Sequence, residues 1–230
     1  MQHMADSVKR IRGTRTRETR RKIITAAAEL FIANGYHVTT LEQIAAQAGV
    51  AVQTVYFHFG NKRTVLKEAV DVAAVGDDEP QALLERPWLE EAKAEPDPRR
   101  VIELWMINGR SILTRVGPIM RVVRDAAVVD PEMAEQWSTN ETQTAAAFRV
   151  LAEQLDTLQA LGVSVEEATD ILCAISGLTT YLVLTDRGWS ASQWERFVVE
   201  TLDHALLTTT RDDRGHSPRD ELANSAHLTS

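Results

Sequence analysis

The sequence predicts an all-α protein, and three observations carry that expectation. Apolar residues recur at three- and four-residue spacing along nearly the whole chain, while no alternating run of any length suggests a strand. Three stretches open with Ser or Thr followed three residues later by Gln or Glu: Thr40 with Gln43, Ser164 with Glu167, and Ser190 with Gln193. That is the capping-box pattern, in which the two side chains satisfy backbone donors at a helix start. The third observation is composition: 230 residues, 44% hydrophobic and 25% charged, suffice for a substantial globular core.

Taken in order, residues 1–16 read as a basic flexible arm carrying Lys9, Arg10, Arg12 and Arg15. It is either a solvated tail or an arm that neutralises phosphates. A first helix is expected from Arg17 to Asn34, with Ile23, Ala27, Leu30 and Phe31 as its stripe and Gly35 as its stop. His37 falls in the loop that follows. A second helix should start at Leu41 and bury Leu41, Ile44, Ala45 and Ala48, with Gly49 ending it in a left-handed turn. A third, from about Val52, turns Val55 and Phe59 inward and Gln53, Thr54, Tyr56, Phe57 and His58 outward. Asn61 and Lys62 open a fourth, whose apolar face is Leu66, Ala69, Val70 and Ala73.

A composition break at residues 76–80 starts a Pro-rich connection. Beyond it, helices are expected from Arg99 to about Val116, from Pro118 to about Val129, and from Pro131 to about Leu161. Gly117-Pro118 is read as a break between the first two. Asp130-Pro131 is read as a cap with Pro at the first helical position. Two more helices should begin near Val165 and Ala191. The units are then an arm (1–16), a helix-turn-helix domain (17–75), a helical body (76–207) and a polar, disordered tail (208–230).

Charge is divided unevenly. Residues 1–63 hold 10 Lys and Arg against 4 Asp and Glu, whereas the remainder holds 15 against 29, for a whole-chain net of −8. A basic end on an acidic body steers that end toward phosphates. The apolar runs fall short of the roughly 20 residues that span a bilayer. The N-terminus has no apolar signal region, and the one cysteine, Cys173, reads as a packing residue. These point to a cytoplasmic protein with no membrane partner.

The stretch from Thr39 to Lys62 is the most informative. Thr40, Ile44-Ala45, Ala48-Gly49-Val50, Tyr56 with Phe59, and Lys62 resemble the DNA-binding signature of the TetR family of bacterial repressors. Where many members carry Ser as the cap of the recognition helix, this chain has Ala51, which cannot cap.

The resemblance implies a homodimeric repressor on a near-palindromic DNA operator, released by a small apolar or amphipathic effector, without a cofactor. Thr39, Thr40, Gln53, Thr54, Tyr56, Phe57, His58 and Lys62 are the implied DNA-contacting residues. Gln53 and Thr54 lead for bases, because Gln can pair with adenine and the Thr methyl can touch thymine. Thr40 stands at a helix N-terminus, where phosphate binds well.

Two broad apolar stripes near the C-terminal end must bury against something: an intramolecular core or, as the resemblance implies, their copies across a twofold axis. They contain Ile171, Leu172, Ile175, Leu178 and Leu182, then Trp194, Phe197, Val198, Thr201 and Leu202. The effector pocket implied by the resemblance draws on Trp105, Asn108, Met120, Arg121, Trp137, Asn140, Phe148 and Tyr181. Arg121 and Arg124 hint at an acidic group on the ligand. A DNA-binding regulator controlled by a protein partner, or an activator, fits the same residues. An enzyme fits them poorly: the chain has no nucleophile elbow, no HExxH pair, no phosphate-binding Gly loop and no metal-ligand spacing.

Overall fold

The computed structural model describes residues 2–75 and 87–208. Among them are ten α-helices: α1 (Gln2–Asn34), α2 (Leu41–Ala48), α3 (Val52–Phe59), α4 (Lys62–Val75), α5 (Pro87–Ala94), α6 (Pro98–Ala127), α7 (Pro131–Thr157), α8 (Val165–Ser176), α9 (Leu178–Asp186) and α10 (Ala191–Leu206). Among the described residues the only strand-like pairing is an isolated bridge between Leu161 and Leu207. The connection at 76–80 and the tail beyond Thr208 lie outside the described residues.

The caps form as the residue types dictate. Thr40 accepts the Gln43 N–H while Gln43 accepts the Thr40 N–H, and Ser190 and Gln193 repeat this arrangement. Ser164 accepts the Glu167 N–H, and Asp130 accepts the N–H groups of Glu132 and Met133 ahead of Pro131. Gly49 ends α2 at φ 68°, a left-handed conformation that costs a Cβ-bearing residue about 1–2 kcal/mol.

Three expectations give way. Helix α1 continues from Gln2, so residues 2–16 are helical instead of a separate arm. Nothing there ends a helix outright: no Pro occurs before Pro80, and Gly13 costs only about 1 kcal/mol. Helix α6 runs unbroken through Pro118. An interior Pro costs about 3 kcal/mol because it removes one backbone bond. Burial of Val116, Ile119, Met120, Val122 and Val123 around it offsets that loss. Conversely, the stripe beginning at Val165 is interrupted at Gly177, which turns extended (φ −68°, ψ 164°). A Cβ there would stand 2.4 Å from the Cys173 carbonyl oxygen, so only glycine fits.

Taken together, Val165–Asp186 is long and apolar enough by length and composition to cross a bilayer, contrary to the expectation from the sequence. Here it is a bent pair of helices packed on α6, α7 and α10, with 39% of its most apolar window buried. Core helices of folded proteins pass the same test.

The core is continuous. Ile23, Ala27 and Phe31 of α1 meet Ile44 of α2, Val55 and Phe59 of α3, and Val65 and Leu66 of α4. From there it runs through α6 into the α7–α10 body. The helix-turn-helix unit therefore sits on the body through α4 and α1.

Candidate nucleic-acid interface and ligand cavity

Helix α3 is eight residues long, and its burial splits as its spacing predicts. Val55 is fully buried and Phe59 nearly so, while Gln53, Tyr56 and Phe57 are exposed and Thr54 and His58 half-buried. Phe57 is 85% exposed and touches His58 edge-on at 5.3 Å. Ala51 makes no side-chain cap, leaving the first turn of α3 without that support. The helix is clamped from behind: the Arg20 guanidinium lies 4.8 Å from the Phe59 ring centre, pairs with Glu68 of α4, and donates to the His58 carbonyl at 3.4 Å.

Two residues expected at DNA serve the scaffold instead. Thr39 is fully buried, and its hydroxyl is shared between the Gly35 carbonyl at 2.8 Å and the Leu30 carbonyl at 3.2 Å. Lys62 turns its ammonium back onto the α1–α2 loop. It donates to the carbonyls of Tyr36 (2.7 Å), Thr39 (2.9 Å) and His37 (3.4 Å), over the Tyr36 ring. Partial burial lowers its pKa from the usual lysine value. With its donors spent on these loop carbonyls, Lys62 is a staple in this structure. Thr40 stays exposed at the start of α2, as expected.

The unit is tied to the body by Arg63, which donates to Asp130 at 3.3 Å and to Glu132 at 2.7 Å. Burial opposes the Asp130 charge, but Arg63 and the Glu132 and Met133 amides outweigh it and hold the carboxyl below its ordinary pKa. Sequence spacing gave no signal for this bridge, since 67 residues separate Arg63 from Asp130.

In the body a 240 Å³ cavity lies among α4 to α9. Four of the eight residues expected at a pocket line it: Trp105, Asn108, Asn140 and Phe148. The other four do not. Met120 is fully buried in the core and Trp137 packs against the core outside the cavity. Arg121 pairs with Asp186 at 2.6 Å, and Tyr181 stacks edge-on with Trp194 at 5.4 Å. Both of the latter face a separate 660 Å³ open cleft between the α1–α2 loop, α6 and α9. Arg124 contacts its neighbour Asp125. No arginine lines this cavity, and Arg121 lies instead on the open cleft.

Residues that the sequence reading missed include Asp71, Gln136, Gln143, Thr144 and Ser176. One signal was available: Gln136, Asn140 and Gln143 fall at i, i+4 and i+7, a polar stripe along α7.

Of the ten residues expected at a dimer interface, six belong to the intramolecular core: Leu172, Leu178, Leu182, Trp194, Val198 and Leu202. Ile171, Ile175 and Thr201 are half-buried and Phe197 is exposed, joined by Val183 at 45%. The stripes were real, but most of each covers this chain's own α6 and α7. Cys173 is half-buried, and burial pushes its thiol pKa up.

A helix-turn-helix unit set on a helical body defines a class of regulatory DNA-binding folds. Residues 23–69 match the family model described as bacterial regulatory proteins, tetR family. The chain is 51% identical over 51 residues to the HTH-type transcriptional regulator TtgW of Pseudomonas putida, covering 22% of this chain and 38% of that one. The fold matches a TetR-family regulator from Mesorhizobium loti at TM-score 0.64 and 21% identity, covering 84% of this chain and 99% of that one. It also matches NalD, the secondary repressor of the MexAB-OprM multidrug efflux pump in Pseudomonas aeruginosa, at TM-score 0.59 and 25% identity over 84% and 98% of the two chains. Residues 23–69 thus carry a tetR-family helix-turn-helix domain, and the relatives named here are transcriptional regulators. Its matches to curated relatives span well under two thirds of their lengths.

Proposed function

We propose that this chain is a sequence-specific DNA-binding transcriptional regulator, acting as a homodimeric repressor that a small ligand releases from a near-palindromic operator. The outward face of α3 carries the reading. Gln53, Tyr56 and Phe57 are exposed together on a helix held rigidly by its inward residues, and a phenylalanine 85% exposed calls for a partner surface. Gln53 and Thr54 engage base edges, and Thr40, Tyr56 and His58 face phosphate and sugar. Phe57 supplies an apolar surface suited to a thymine methyl.

Ile171, Ile175, Val183, Phe197 and Thr201 form the outward side of α8–α10 that a second copy would cover. Two copies would hold their α3 helices about 34–36 Å apart, one DNA turn. Repression is supported by the relative NalD, a repressor by name. Ligand control is supported by the cavity, because Asp71 on its wall belongs to α4, the helix that begins beside α3. A ligand favouring one placement of α4 shifts DNA affinity by its preference for that state, typically about 1–3 kcal/mol.

Selection of bound duplexes from a random library by the purified protein, at about 150 mM salt, tests this reading. Enrichment of an inverted repeat is expected. A folded, dimeric protein that enriches nothing, even after unfolding, washing and refolding to strip bound ligand, contradicts it.

A further inference from the structure

We propose that the cavity among α4 to α9 is a site for a small amphipathic cation, a protonated or quaternary amine on an aromatic or apolar body, with Asp71 as its counter-ion. This rests on the reading of the chain as a ligand-responsive regulator and names the ligand's chemistry. Three independent observations converge on it.

The first is charge. Among the described residues Asp71 is the one ionisable side chain lining the cavity, and Lys67, whose charge reaches it along α4, lies outside that lining. An anionic ligand would meet only a like charge there, and nothing would offset its desolvation. Asp71 itself makes no hydrogen bond or ion pair among the described residues. Asp71 stands exposed at the edge of the cavity, free to meet a positive group, and its partial burial pushes the carboxyl above the ordinary value, with Lys67 opposing this.

The second is the wall. Trp88 and Trp105 meet edge-on at 5.3 Å, and Phe148 lies on the same cavity. Aromatic faces attract cations and cover apolar bodies equally well.

The third is a pair of orphaned polar groups. Trp105 and Ser176 are 5% and 3% exposed, and Trp105 Nε1 and Ser176 Oγ have no hydrogen-bond partner. Buried polar atoms left unpaired are uncommon, and of the five among the described residues these two belong to residues lining one cavity. An acceptor on the ligand would satisfy them. Gln136 and Gln143, with Asp71, also line a second groove on the outside of α4 and α7, which gives a polar entrance.

The test uses three probes of nearly equal size and different charge: benzylammonium, benzyl alcohol and benzoate. Each is titrated at pH 7.5 into the full chain and into Asp71→Asn, without DNA, by tryptophan fluorescence and calorimetry. Benzylammonium is expected to bind at least about tenfold more tightly than benzyl alcohol, with benzoate weakest. Asp71→Asn should abolish the cation's advantage and keep the alcohol's affinity, which also shows that the variant is folded. Trp105→Phe, which keeps the ring but removes the N–H, should weaken benzyl alcohol, whose hydroxyl can accept that bond, and leave benzylammonium, which has no acceptor, nearly unchanged. Benzoate binding as well as benzylammonium, an unchanged cation affinity in Asp71→Asn, or no saturable binding by any probe would overturn the proposal. Operator affinity measured in parallel separates the two readings: loss of DNA binding removes the regulator and leaves the cation site standing, and the reverse holds equally.

Discussion

At the scale of single residues, the two that changed role are the most instructive. Lys62 lies where a family motif places a lysine, and its motif role says phosphate. The structure gives its ammonium to the carbonyls of Tyr36 and Thr39. Replacing it with Met should therefore lower stability by about 1–3 kcal/mol, the cost of leaving such acceptors unpaired, as read by urea unfolding. It should leave the salt dependence of DNA binding nearly unchanged, whereas losing a phosphate contact reduces that slope by about one. Thr39 changed in the same direction, its hydroxyl spent on two carbonyls inside the unit. Ala51 makes the opposite case. The missing cap was legible in the sequence and persists in the fold. Ala51→Ser should stabilise the protein by about 0.5–2 kcal/mol in the same measurement.

At the scale of elements, helix starts were legible because they depend on local chemistry: Thr40, Asp130, Ser164 and Ser190 all cap as their neighbours dictate. Interruptions were less so. Pro118 signals a break, yet α6 passes through it, because packing on both sides outweighs one lost bond. Gly177 does break the chain, turning extended where a Cβ would meet the Cys173 carbonyl one turn earlier. Periodicity marked Leu172, Trp194 and Leu202 as covered, but not by what.

The Arg63–Asp130 bridge between α4 and α7 is likewise invisible to spacing. Because the folded Asp130 carboxyl lies below its unfolded value of 3.8, the bridge's contribution is present above about pH 4 and is lost as pH falls through the folded value. Asp130→Asn keeps a competent cap and removes the charge. Since Arg63 is largely solvent-exposed, the variant should cost less than about 1 kcal/mol at pH 7, and that cost should shrink steadily as pH falls below about 4. Thermal melts of both proteins across that range check it.

At the scale of the whole molecule, one chain joins the exposed face of α3, a cavity on the helix that follows it, and an outward face on α8–α10. Phe197→Glu, on that face and away from the core, should turn a dimer into a folded monomer by light scattering, and weaken operator binding because half the contacts go. The claim at the centre is that α3 reads bases. The most direct measurement is the affinity of the wild-type protein and Gln53→Ala for every single-base variant of the selected duplex. The wild type is expected to discriminate by about 1–3 kcal/mol at one symmetry-related pair of positions, and Gln53→Ala to lose that discrimination and keep the rest. A uniform loss across all positions, or none, would contradict it.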